Sequence, residues 1–252
     1  DVAADRSGRR ATLVADASAV RATGVGPWDG RVAAHLDGDV LRLDDFDLQA
    51  YGGSIRGDGV VALDGAASSL RASLRGVDVA SVLTAHSGLT VRVASRADAD
   101  LTLGMSQWDP RTLTTEGSVT FRPLSGPGIP LRGTARFSVA DRRLRVASEA
   151  LRVRDVSLRL NGTVGVDGRL DLRYGVGLAD VTTAPAALAD LGVEVPRLNV
   201  RGALEAEGTV NGTRDSWVAT ANVASREFAV EELDLDLVGE LIVTPTSVRL
   251  VR

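Results

Sequence analysis

Apolar and polar residues alternate along most of this chain, and a period of two restricts it to strands. The clearest run is Leu89, Val91, Val93, Ala97, Ala99, Leu101 and Leu103, interleaved with Thr90, Arg92, Arg96, Asp98, Asp100 and Thr102. Leu131, Ala135, Phe137 and Val139 alternate in the same way, as do Leu198, Val200, Leu204 and Ala206, and Leu233, Leu235 and Leu237. Successive side chains on a strand point to opposite faces. One face is therefore apolar and the other wet, the signature of an antiparallel sheet rather than a buried parallel one.

Turn dipeptides punctuate the runs: Asp29-Gly30, Asp37-Gly38, Asp64-Gly65, Asn161-Gly162, Asp167-Gly168 and Asn211-Gly212. Each suits the positive φ of a tight hairpin. Asn161-Gly-Thr and Asn211-Gly-Thr also match the N-glycosylation acceptor, but the hairpin wants the same residues, and we read them as turns. Helical signal is confined to two short runs, 78–86 and 180–191. Each opens on an Asp fit to cap a helix, and Gly88 or Gly192 follows as a stop.

The segment 41–65 lies without gaps over 144–168 at an offset of 103 residues. Leu41/Leu144, Ser54/Ser157, Arg56/Arg159, Gly59/Gly162, Val61/Val164 and Gly65/Gly168 are identical, and the pleat phase is kept. A third copy begins at Val248-Arg249-Leu250. The expected organisation is one continuous array over 1–252, with a partial unit at 1–87, a complete one at 88–191 and a partial one at 192–252. The chain starts on Asp1 and stops in a strand-like run, so it reads as an excerpt of something longer.

Composition narrows the function. Aromatic residues are 4% of the 252, while Gly contributes 27, so the apolar mass is Val, Leu and Ala. Net charge is −4, which disfavours a nucleic-acid binder. The absence of Cys excludes a disulfide framework, a thiolate zinc site and a Cys nucleophile. His35 and His86 have no motif partner at helix or hairpin spacing. The adjacent pairs Asp44-Asp45 and Glu231-Glu232 read as bulges or turns rather than acid/base dyads. No phosphate loop or nucleophile elbow is present, no catalytic constellation emerges, and we expect neither metal nor cofactor. Trp28, Trp108 and Trp217 stand near turns or strand starts, where indole either plugs a sheet end or meets lipid headgroups.

The segment Tyr51-Gly-Gly-Ser-Ile-Arg-Gly-Asp-Gly-Val-Val-Ala-Leu-Asp64 resembles the Gly-Gly-x-hydrophobic-x-Gly-x-Gly element of AsmA-like and TamB-like proteins. Leu74-Arg-Gly-Val-Asp-Val-Ala-Ser-Val-Leu83 is similar to their strand followed by a small helix, and Leu204 to Thr213 to their strand ending in Gly. The second copy departs from the pattern, with Asp155-Val156 in place of Gly52-Gly53.

The resemblance implies an all-β fold: an elongated, curled antiparallel sheet with a U-shaped apolar groove, built from repeats of about 100 residues. We expect two short helices and about 16 to 19 strands, which at ~4.8 Å spacing would span roughly 75–90 Å. It further implies a periplasmic lipid-transfer conduit that carries phospholipid or other acyl chains between inner and outer membranes, anchored to the inner membrane outside this excerpt. The expected lining is Leu41, Leu43, Ile55, Val61, Leu63, Leu89, Val91, Val93, Leu101, Leu103, Val119, Phe121, Leu131, Phe137, Val139, Leu158, Val164, Val166, Leu198, Val200, Leu204, Leu233, Leu235 and Leu237. Such a strip suits sliding acyl chains, since each buried methylene contributes about 0.8 kcal/mol without directional preference. Two other classes stay open: a scaffold that adds strands to outer-membrane β-barrel proteins, and a structural β-array.

Overall fold

The computed structural model describes residues 2–4, 10–22, 25–86, 93–107, 109–183, 200–213, 215–230 and 233–251. The period of two is realised as strands. They are β1 (Val2–Ala4), β2 (Arg10–Ala22), β3 (Val25–Asp37), β4 (Val40–Ala50), β5 (Gly53–Ala62), β6 (Ser68–Asp78), β7 (Ser95–Met105) and β8 (Thr114–Pro123). The series continues with β9 (Leu131–Ala140), β10 (Arg143–Val153), β11 (Val156–Gly165), β12 (Arg169–Leu178), β13 (Val200–Thr213), β14 (Ser216–Val230), β15 (Leu233–Thr244) and β16 (Ser247–Leu250). These 16 strands form one sheet in sequence order, so every neighbour in the sheet is also a neighbour in the chain. Two compact units divide the chain: residues 1–91, 95–121 and 137–142, and residues 92–94, 122–136 and 143–252.

Within the first unit, β4 and β5 pair Leu41 with Val61, Leu43 with Gly59, Leu48 with Ile55 and Ala50 with Gly53. In the second, β10 and β11 pair Leu144 with Val164, Val146 with Gly162, Leu151 with Leu158 and Val153 with Val156. Each of these four pairings sits 103 residues from its counterpart. The bulge between them differs: it opens after Leu43 in β4 and after Ser148 in β10.

The glycine pair of the first hairpin has a local cause. Tyr51 and Gly52 take φ of 51° and 70°, the left-handed pair of a two-residue turn. A Cβ on Gly53 would stand 2.5 Å from the Arg75 carbonyl oxygen and 2.7 Å from the Val77 nitrogen, because β6 bulges there. Val156 occupies the corresponding place opposite Leu178, where β12 runs without a bulge and leaves room for a side chain.

Half of the expected turn dipeptides are turns. Gly38, Gly65 and Gly168 carry positive φ of 61°, 86° and 79° between strands. Asp29-Gly30, Asn161-Gly162 and Asn211-Gly212 instead lie inside β3, β11 and β13, which corrects the turn reading. Those glycines face a neighbouring backbone. A Cβ would come within 2.2 Å of Asp47 O at Gly30, 2.1 Å of Asp171 O at Gly162 and 2.2 Å of Ser216 O at Gly212. The β9–β10 turn uses Asp141 and Arg142 at φ 49° and 59°, with no glycine to announce it.

One α-helix, α1 (Val79–His86), is present among the described residues. Asp78 caps it: its Oδ1 accepts from the Ala80 and Ser81 amides at 2.8 and 3.3 Å. The Asp78→Ala variant should lose about 1 kcal/mol in a urea titration. The second expected helix begins with the same device. Asp180 Oδ1 accepts from the Thr182 amide at 2.9 Å, and Val181–Thr183 form a single 3₁₀ turn. Residues 184–191 of that run lie outside the described residues.

Candidate functional site

Directly opposed residues of an antiparallel pair share a face, so the register sorts the paired positions of β2–β7 and of β10–β15. In the first unit one row runs Ala15, Val32, Phe46, Gly57, Ala72, Leu101 from β2 to β7. The next row runs Gly30, Leu48, Ile55, Leu74, Ala99, and another runs Leu13, Ala34, Leu43, Gly59, Leu70, Leu103. In the second unit the rows are Val146, Gly162, Leu172, Val210, Ala219, Val243 and Leu151, Leu158, Val176, Ala206, Val223, Gly239. No charged residue stands in any of these rows.

Bulges keep the face apolar. Asp44-Asp45 separate Leu43 from Phe46, Arg75-Gly76 separate Leu74 from Val77, Glu149-Ala150 separate Leu151 from Ser148, and Arg226-Glu227 separate Ser225 from Phe228. Each doublet is one residue longer than the facing strand requires, so the apolar phase restarts on the same side. Asp44-Asp45 is thus a bulge, as the sequence implied. Glu231-Glu232 lie outside the described residues.

The polar atoms that do enter the apolar rows are tied to backbone. Ser148 and Ser225 each stand just before a bulge and donate to the Thr134 and Ala203 carbonyls at 2.6 and 2.5 Å. Tyr174 lies across Gly208 of β13 and donates its hydroxyl to Thr220 O of β14 at 3.1 Å. Partial burial pushes its phenol pKa up. A Cβ on Gly208 would sit 1.7 Å from Thr220 O, so Gly208→Val should destabilise the fold by roughly 3 kcal/mol or more, read from its urea midpoint.

The face is half-buried rather than sealed. Among the described residues the only side chain below 2% exposure is Ser95. Most buried apolar residues are alanines, such as Ala34, Ala50, Ala62, Ala99, Ala135 and Ala221. The larger side chains Leu41, Leu43, Ile55, Leu101, Leu158, Val164 and Leu204 keep part of their surface accessible, and Leu13 and Leu144 are 40% and 38% exposed. Phe46 packs onto Gly57 and Phe137 onto Gly117, each ring filling the space a Cβ would take.

The opposite face is polar. Arg56 donates to Asp47 at 2.9 Å across β5 and β4, and Arg75 and Ser73 donate to Asp100 at 2.7 and 2.8 Å. The Arg75 and Ser73 hydrogen bonds hold the Asp100 carboxyl below its usual range. Such a lowered group keeps its ties at neutral pH and loses them only as pH falls through the lowered value. His35 hydrogen-bonds Asp44 on the adjoining strand, a partner that the motif spacing did not reveal. In the second unit Arg159 reaches over Gly175 to Glu207 at 2.6 Å, beside a depression of about 270 Å³ that Asn161 and Arg173 also line.

No family model, curated protein or solved structure matches the chain. The site therefore stands on its own residues. Of the expected lining, Leu41, Leu43, Ile55, Val61, Leu101 and Leu103 share the apolar face of the first unit, and Leu158, Val164 and Leu204 that of the second. Val93, Val119, Phe121, Leu131, Phe137 and Val139 are half-buried in or beside β7–β9. Leu63 and Val166 depart from expectation. They stand in turns at 48% and 64% exposure, because each alternating run ends one pair earlier. Leu89, Val91 and Leu198 lie outside the described residues, as do the side chains of Val200, Leu233, Leu235, Leu237 and His86, and all of Trp108. Trp28 pairs with Val20 inside β3, and Trp217 faces Gly212 at the start of β14.

Sequence reasoning missed Val32, Phe46, Leu48, Leu70, Leu160, Leu172 and Val176, which stand on the same apolar faces. The signal was the polar doublet: allowing alternation to slip by one residue at each doublet recovers Phe46 and Leu48.

Proposed function

We propose that the apolar face binds the acyl chains of phospholipid, and that the protein is a non-enzymatic conduit for lipid between the inner and outer membranes, in the periplasm and anchored to the inner one. The observation that carries this reading is the uncharged, half-accessible row structure. Five successive strands present Val32, Phe46, Gly57, Ala72 and Leu101 at one level, with a parallel row on either side. Medium-sized side chains and glycines offer hydrocarbon contact nearly evenly along a row, and polar hydroxyls there are already bonded to backbone. Binding by such a surface is strong in sum and weakly selective. The resemblance of 51–64 and 74–83 to AsmA-like and TamB-like proteins supports the same assignment.

Solvent extraction of the purified protein followed by mass spectrometry tests it. Co-purified phospholipid released by a competing fluorescent fatty acid is the expected result. A lipid-free protein that also fails to bind the probe would overturn the reading and favour a strand-adding scaffold or a structural array.

A further inference from the structure

Charge is unevenly spread over the polar faces. In the first unit basic and acidic side chains are mixed, and ion pairs join Arg56 to Asp47 and Arg75 to Asp100. The second unit differs in β10–β12. These three strands place Arg143, Arg145, Arg152, Arg159, Arg169 and Arg173 at exposed positions on the polar face. Asp171 is the one carboxylate among the described side chains of these strands. Only Arg159 makes an ion pair with a described residue, Glu207. The positions between the arginines hold Ala147, Ser157, Asn161, Thr163, Gly175 and Gly177.

That combination selects a partner. Protein hot spots seat Trp, Tyr and Arg in well-packed, desolvated pockets, whereas these arginines are all exposed and no aromatic side chain stands among them. Guanidinium forks spaced by small neutral residues suit a plane of phosphate groups, which they can engage bidentately without a fixed register. We propose that the polar face of β10–β12 docks onto an anionic bilayer surface through its headgroup phosphates. The contact is independent of what occupies the apolar face.

Vesicle flotation tests the proposal. The full chain should float with vesicles of equal parts phosphatidylglycerol and phosphatidylcholine, and not with phosphatidylcholine alone. Binding should weaken steeply as salt is raised, because exposed charges are screened. Each arginine near an anionic surface contributes roughly fivefold. The R145Q/R152Q/R173Q variant should therefore lose on the order of 100-fold in affinity, while R145K/R152K/R173K retains binding. If the glutamine triple fails to fold, R173Q alone should show the single roughly fivefold step. Equal binding to both vesicle types, salt-insensitive binding, undiminished binding by folded glutamine variants, or a preference for soluble poly-glutamate over anionic vesicles would each overturn it.

Discussion

Leu101→Asp and Leu172→Asp are expected to leave the chain folded and to strip most of its bound lipid. Both residues sit in the middle of apolar rows, Leu101 opposite Ala72 and Leu172 between Gly162 and Val210. Both are half-buried. In a dry core between two sheets, an unpaired carboxylate would be neutralised or cost several kcal/mol, against a total stability of about 5–15 kcal/mol. Here the carboxylate can reach water, and the penalty should stay within the ~0.5–3 kcal/mol of an ordinary substitution. Lipid should still be lost, because hydrocarbon crossing the row must desolvate the charge. Melting temperature and extracted phospholipid, measured on one preparation, decide the matter. Unfolding of both variants would mean that the rows are a sealed core. Normal melting with undiminished lipid would place the lipid elsewhere.

Removing one residue from β4 should have opposite consequences at two sites only two residues apart. Deleting Asp45 removes the extra residue of the bulge. Leu43 and Phe46 then become regular alternates opposite Gly59 and Gly57, which are already two apart. Such a variant should stay within about 1 kcal/mol of the parent, as a surface change does. Deleting Asp47 instead shifts the phase. Keeping Leu48 opposite Ile55 and Leu43 opposite Gly59 would turn Phe46 onto the polar face and bring Asp45 into the apolar row. The lost Phe burial and the inserted carboxylate together should cost more than about 3 kcal/mol. Urea midpoints of the two deletions check it, and equal midpoints would show that the phase of β4 is not held by its partners.

Local periodicity is written in the chain and was readable from it. Alternation identified the strands around Leu101, Phe137 and Leu204, and Asp78 and Asp180 announced their capping turns. The 103-residue offset between 41–65 and 144–168 reappears as matching pairings in two hairpins, because register follows from which alternates are apolar. A dipeptide such as Asn161-Gly162 was ambiguous for a physical reason. Glycine serves equally where φ must be positive in a turn and where a neighbouring backbone leaves no space for Cβ. Only cross-strand proximity, here Asp171 O against Gly162, chooses between them. Tertiary pairing also decided how the broken runs join. Leu43 and Phe46 are three apart in sequence, yet they face consecutive alternates of β5, so one continuous apolar row emerges from two out-of-phase segments. The charge of the other face was decided in the same way. The arginines of β10–β12 are scattered between positions 143 and 173, and only the register of three antiparallel strands gathers them onto one surface.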